Sequence, residues 1–133
     1  MATAQAVTKI WEALSKDIWK FTITWTCTDL GVVSSAFDTV EKARVYGKYL
    51  FLMVTDPSAT APTTLYDITL VDDGSLDLAG GELANRSATL REQAIPKLNG
   101  SCYGDRVIDG GLVVTIAAAG NAKIGDLILY FRS

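Results

Sequence analysis

In the segment Ile18 to Thr28, IWKFTITWTCT, polar and apolar residues alternate without a break from Trp19 onward. Trp19, Phe21, Ile23, Trp25 and Cys27 fall on one face; Lys20, Thr22, Thr24, Thr26 and Thr28 fall on the other. A period of two built from β-branched and aromatic residues specifies a strand. The aromatic face belongs in a core, and the Thr face meets solvent or a neighbouring subunit. The preceding segment, Ala6 to Leu14, supports two readings. Val7, Ile10, Trp11 and Leu14 make a helical i, i+3, i+4, i+7 stripe. The same residues make a strand if Ser15-Lys16-Asp17 turns the chain back as a hairpin. The strand that follows favours the hairpin, with Trp11 pointing outward.

Further along, Asp29-Leu30-Gly31 reads as a turn and Val32 to Val45 is mixed. Lys48 to Thr55, KYLFLMVT, is apolar on both faces, as in a central strand, and Asp56-Pro57 closes it because Pro cannot donate to a ladder. Leu65 to Val71 alternates again, with Tyr66, Ile68 and Leu70 opposite Asp67 and Thr69. Glu82 to Leu90 reads as a helical turn or an irregular crossing, and Asn99-Gly100 as a tight turn. Arg106 to Asp109 is a short strand broken by Gly110-Gly111. Leu112 to Ala119 and Lys123 to Arg132 flank Gly120-Asn121, which predicts a hairpin with a primed two-residue turn. Seven strands without a long helix predict an all-β chain, 1–133, folded as one antiparallel β-sandwich, with a jelly roll or small barrel as the near alternative.

Composition narrows the function classes. The chain has 133 residues, 49% hydrophobic, and a formal net charge of −3. A domain of this size buries a core without disulfides or metal. Its basic residues are scattered; the densest group, Lys42, Arg44 and Lys48, sits beside Glu41. That disfavours nucleic acid, whose phosphates need clustered Lys and Arg. No run approaches the roughly 18 apolar residues of a membrane span. The start of the chain, interrupted by Lys9, Glu12, Lys16 and Asp17, lacks the apolar stretch of a signal peptide. Without secretion, Cys27 and Cys102 are expected as reduced, separately buried thiols. The immunoglobulin pattern fails because Trp11, Trp19 and Trp25 all precede Cys27.

The candidate chemistry is sparse. Asp72, Asp73 and Asp77 around Gly74 resemble a calcium loop, but DDGSLDLAGGEL does not keep the register of an EF-hand. The expectation is a turn in which Asp side chains accept from nearby backbone amides. Gly80-Gly81 lacks the Lys-Ser/Thr of a phosphate loop. Carboxylate pairs, Asp67 with Asp105 or Glu82 with Glu92, serve as acid and base only if the fold brings them together. Ser101 adjoins Cys102, but the chain contains no His to activate either. No catalytic, cofactor-binding or metal-binding residue is assigned, and no cofactor is expected. Trp11, Tyr46, Tyr49, Tyr103 and Tyr130 remain as candidates for a sugar- or protein-binding face.

Several segments together resemble a known group. They are Trp25-Thr26 with Asp29 and Gly31; Ala61-Pro62 leading into Tyr66-Asp67-Ile68-Thr69-Leu70; Asp72-Asp73-Gly74 with Asp77-Leu78 and Gly80; Asn85-Arg86; and Gly120-Asn121-Ala122-Lys123-Ile124-Gly125 before a strand ending in Arg132. The set resembles small β-sandwich proteins encoded in the structural-gene clusters of tailed bacteriophages, from the Trp strand onward. The resemblance implies a non-enzymatic virion structural protein, a head decoration (cement) or neck/tail accessory. Its implied partners are copies of itself and the major capsid or neck/tail proteins, with assembly in the bacterial cytoplasm. The alternative is a carbohydrate- or receptor-binding module on the same sandwich. Asn85-Arg86 is expected to fix the crossing that follows the Asp/Gly turn by hydrogen bonds.

Overall fold

A computed structural model describes residues 4–133; residues 1–3, where the segment compared with a signal peptide begins, lie outside the described residues. Two antiparallel sheets pack face to face as a β-sandwich that is not a closed barrel. The larger sheet runs β1 (Ala6–Ala13), β2 (Ile18–Thr26), β11 (Ile124–Arg132), β4 (Tyr49–Pro57) and β6 (Glu92–Ala94), and β9 (Arg106–Val107) also pairs with β4. The smaller sheet runs β3 (Val33–Ala36), β10 (Leu112–Ala117) and β5 (Asp67–Asp72). A small hairpin, β7 (Lys97–Asn99) with β8 (Cys102–Tyr103), stands apart and turns through Gly100 at φ 48°.

The alternating strand behaves as its pattern dictates. Phe21, Ile23 and Trp25 are fully buried, and Leu127, Leu129 and Phe131 continue that layer on β11. Ile68, Leu70, Val114 and Ile116 face them from the smaller sheet, and all belong to one hydrophobic cluster. Ala6–Ala13 is the strand, not the helix. Trp11, however, points inward. Register places it opposite Phe21, and its ring packs 5.6 Å from Phe21 and 5.9 Å from Phe131. A tight hairpin fixes register, and register fixes the face of every residue on the returning strand.

The predicted hairpin of the last two strands is overturned. β10 pairs with β3 and β5, whereas β11 lies between β2 and β4 in the other sheet. The link Ala118–Lys123 therefore crosses between sheets. It does so through three left-handed residues, Ala118 (φ 60°), Gly120 (φ 95°) and Ala122 (φ 54°). Two alanines in that region are strained and must be held by their surroundings. They are: Ala119 donates to the Gly31 carbonyl at 3.1 Å and accepts from Thr63 at 2.9 Å, and Ala122 donates to Thr28. A Cβ on Gly31 would lie 2.7 Å from the Gly120 nitrogen, so the 28–31 turn and the crossing are packed backbone to backbone.

The mixed region 32–45 resolves into β3 and a short helix α1 (Thr39–Val45), started by Asp38. Asp38 accepts from the Glu41 amide while Glu41 accepts from the Asp38 amide, a capping box. Beyond the seven expected strands, the short β3, β6, β7 and β8 are additions. Cys27 is buried and accepts from the Lys123 amide, but Cys102 is exposed on the β7–β8 hairpin, not buried. Its place beside a tight turn explains the difference, since turn residues cannot be covered by either sheet.

A glycine on β11 tests the core packing. An added Cβ on Gly125 would meet Trp25 Cζ2 at 2.6 Å, against a fully buried indole. Gly125→Ala is expected to destabilise by about 1–3 kcal/mol in urea denaturation, the usual cost of overpacking. Gly74→Ala, where the added Cβ meets only Asp72 Oδ1 at 3.4 Å, is expected to stay within about 0.5 kcal/mol of wild type.

Candidate functional site

The segment from Leu65 to Arg86 holds the densest polar chemistry of the chain, and the fold decides what each group does. Asp72 Oδ1 accepts from the amides of Gly74 and Leu76, both at 2.9 Å. Asp77 accepts from three amides: Leu70 and Ala79 on Oδ1, and Gly81 on Oδ2. Asp73 Oδ2 accepts from the Gly111 amide at 3.1 Å, tying the turn to the start of β10. These are the expected side-chain-to-backbone turns. Gly80 and Gly81 supply the positive φ angles, 66° and 86°, and Ser75 adds a third at 66°. Gly80 also packs too closely for a side chain, since its Cβ would fall 2.2 Å from the Lys97 carbonyl oxygen. Among the described residues, no group of three or more His, Cys, Asp or Glu side chains could hold a metal ion.

The proposed carboxylate pairs are each occupied separately. Asp67 accepts from the Asn85 amide at 2.8 Å, and Asp105 is bonded by Arg132 Nε at 2.6 Å. Glu82 lies 3.9 Å from the Lys97 ammonium and receives the Tyr103 hydroxyl at 3.4 Å. Glu92 accepts from the Ser87 amide at 2.7 Å and lies 3.5 Å from Arg86. The candidate aromatics do not share a face. Trp11 points into the sandwich, whereas Tyr130 stands on the outer side of the same sheet beside Phe51. Tyr49 lies beneath the Arg132 guanidinium, Tyr103 stands near Lys97, and Tyr46 is exposed.

Asn85-Arg86 does fix the crossing. Asn85 takes φ 55°, which turns its amide toward Asp67. The Arg86 backbone then pairs with Tyr66, its amide donating at 2.8 Å, while its carbonyl accepts from Leu65 at 3.0 Å. Its side chain, 8% exposed, donates to Thr55 Oγ1 at 3.1 Å and to the Glu82 carbonyl at 2.7 Å. Thr55 is on β4 in the larger sheet, and Tyr66 leads into β5 in the smaller one. One residue therefore links the two sheets, its backbone on the Tyr66 side and its guanidinium on Thr55. Sequence reasoning found Arg86 but not Thr55, a buried hydroxyl 31 residues away with no local signal.

Tyr66 sits against this clamp, fully buried, with its ring 5.6 Å from Trp25. Its hydroxyl lies close to Thr55 but finds no hydrogen bond of good geometry. Burial raises the phenol pKa above its ordinary 10.0; Thr55 and Arg86 oppose the shift, and Glu92 and Asp56 add to it.

No protein-family model, curated protein or solved structure matches this chain. The geometry therefore stands alone: Asp67, Asp72, Asp77 and Arg86 are bracing groups of the sandwich.

Two expectations follow from the clamp. Arg86→Met is expected to lower stability by about 2–4 kcal/mol in urea, because the Thr55 and Glu82 acceptors are left buried and unpaired. Tyr66→Phe is expected to be neutral or slightly stabilising at pH 7, since the lost hydroxyl has no bond to lose. Wild-type stability should fall as pH rises beyond about 10, because the unfolded phenol releases its proton before the folded one does. Tyr66→Phe should flatten that part of the pH profile, and an unchanged alkaline slope would sink the assignment.

Proposed function

We propose that this protein is a non-enzymatic structural component of a tailed-bacteriophage particle, a subunit that assembles symmetrically on the capsid as a decoration or cement protein, or on the neck or tail. The observation that carries the reading is the destination of the polar side chains between Asp67 and Arg86. Asp67, Asp72, Asp73, Asp77 and Arg86 all reach backbone groups of this chain, so the segment that looked most like a ligand loop is engaged in holding the sandwich. The β-sandwich, the resemblance and the unpaired Cys27 thiol support the same reading.

The surface also suits a protein whose partners are proteins. Ile95, Leu98, Tyr103 and Val107 are 43–51% exposed around the β7–β8 hairpin and β9. In this reading these side chains are candidates for a protein contact. The partners in this reading are copies of the chain and the major capsid or neck/tail proteins. A net charge of −3 keeps free subunits soluble and does not favour nucleic acid. Among the described residues, no helix is long and apolar enough to cross a membrane.

Mass spectrometry of purified virions from a culture producing this protein tests the reading. The chain is expected among the particle proteins at a stoichiometry that is a multiple of the local symmetry. Its absence from intact particles, with recovery in the unassembled lysate, rejects the proposal.

A further inference from the structure

The outer face of the larger sheet carries two apolar residues that lie outside the central core and are covered by neighbouring side chains of the same chain. Val54 and Ile128 are each only 4% exposed, yet neither belongs to the central hydrophobic cluster, because both point away from the smaller sheet. Cross-strand register aligns Ile10, Thr22, Ile128, Val54 and Gln93 in one row across five strands. The row on one side reads Glu12, Lys20, Tyr130 and Leu52. The row on the other side reads Thr8, Thr24, Asp126 and Asp56. A shallow depression of about 330 Å³ opens at the β6 end, lined by Leu52, Val54, Gln93 and Tyr130 among others.

Charge is distributed unevenly over this face. Asp56 is paired with Arg91 at 2.8 Å. Lys20 and Asp126 have no ion-pair partner among the described residues; Asp126 accepts only the Thr24 hydroxyl, at 2.7 Å. They lie two rows apart, about 13 Å along the strands, too far to meet within one chain.

We propose that this face pairs with the same face of a second copy about a two-fold axis lying along the Ile10–Thr22–Ile128–Val54 row. That rotation lays the central row on itself and exchanges the flanking rows. Lys20 of each copy then faces the Thr24–Asp126 corner of the other, and the Tyr130 hydroxyl faces Asp126. An isologous contact of this kind makes each pairing twice. Aligned sheets pack about 10 Å apart, within reach of a lysine side chain. Five strands by three rows cover about 24 Å by 17 Å, about 400 Å² of sheet per copy and about 800 Å² in total, smaller than a standard specific interface and in the range of weak, transient contacts. The dimer is accordingly a weak association that assembly on a particle would reinforce. The inference deepens the assembly reading, and it is tested on the isolated protein, so its failure leaves the virion test standing.

Sedimentation equilibrium of the purified full chain, from about 1 µM to 1 mM, gives the readout. The expected result is a reversible rise from 14.3 kDa toward twice that mass. Lys20→Glu and Asp126→Lys are each expected to weaken association about tenfold, with wild-type circular dichroism. The double variant K20E/D126K should recover most of the wild-type affinity, because reversing both charges restores a pair that exists only between copies. Ile10→Asp, at a half-exposed edge position, should weaken it at least tenfold without unfolding the chain. A protein that stays monomeric throughout overturns the proposal. So does a dimer indifferent to these substitutions, or single losses that the double reversal does not rescue.

Discussion

The sandwich depends on a guanidinium placed where water does not reach. Arg86 holds Thr55 of the larger sheet with one nitrogen and the Glu82 carbonyl with another, while its backbone is bonded to Tyr66 at the entrance to the smaller sheet. A buried charge is costly unless its donors are matched, so the surrounding chain is arranged to match them. Asn85 adopts a left-handed conformation, Asp67 anchors its amide, and Glu92 approaches from β6. The Asp/Gly turn serves the same end. Asp77 gathers three amides and Asp72 two, which compacts the excursion between β5 and Arg86 into a rigid bracket.

The opposite flank is closed by different chemistry. β1 and β3 are edge strands of different sheets, and the gap between them is bridged by side chains. The Gln5 amide accepts from the Ser34 N–H at 2.9 Å and donates to the Ser34 carbonyl at 2.8 Å, imitating one residue of a paired strand. Lys9 reaches the Ala36 carbonyl and forms an ion pair with Glu41 at 2.9 Å. Glu41 is also the third residue of the α1 capping box, so the short helix, the edge of β3 and the edge of β1 share one carboxylate. Covering an edge in this way removes a template for uncontrolled strand addition.

Sequence periodicity carries the parts of this fold that are local. The β2 alternation, the β5 face and the Asx turns are all legible because side-chain direction and turn geometry are settled within a few residues. The β10–β11 hairpin was misread because Gly120-Asn121 satisfies the local rule for a primed turn. What rejects it is non-local: left-handed Ala118 and Ala122, and the backbone of Gly31 packed against Gly120. The face of Trp11 was recoverable in principle, since a short hairpin loop fixes its partner as Phe21. In the polar bracket, Asp72 and Asp77 were legible and Thr55 was not. A lone Thr at the end of an apolar strand gives no sign that it accepts from an arginine 31 residues on.

The position of β11 has a consequence for how the molecule comes into being. It is the last strand in sequence yet lies between β2 and β4, contacting partners that precede it by roughly half the chain or more. β2 and β4 are joined only through it, so the larger sheet has no contiguous middle until β11 is in place. Contacts of such long sequence separation make folding slow and leave the β1–β2 hairpin with an open partner edge meanwhile. β11 thus acts as a keystone, and commitment to the native topology waits on its insertion between two strands made long before it.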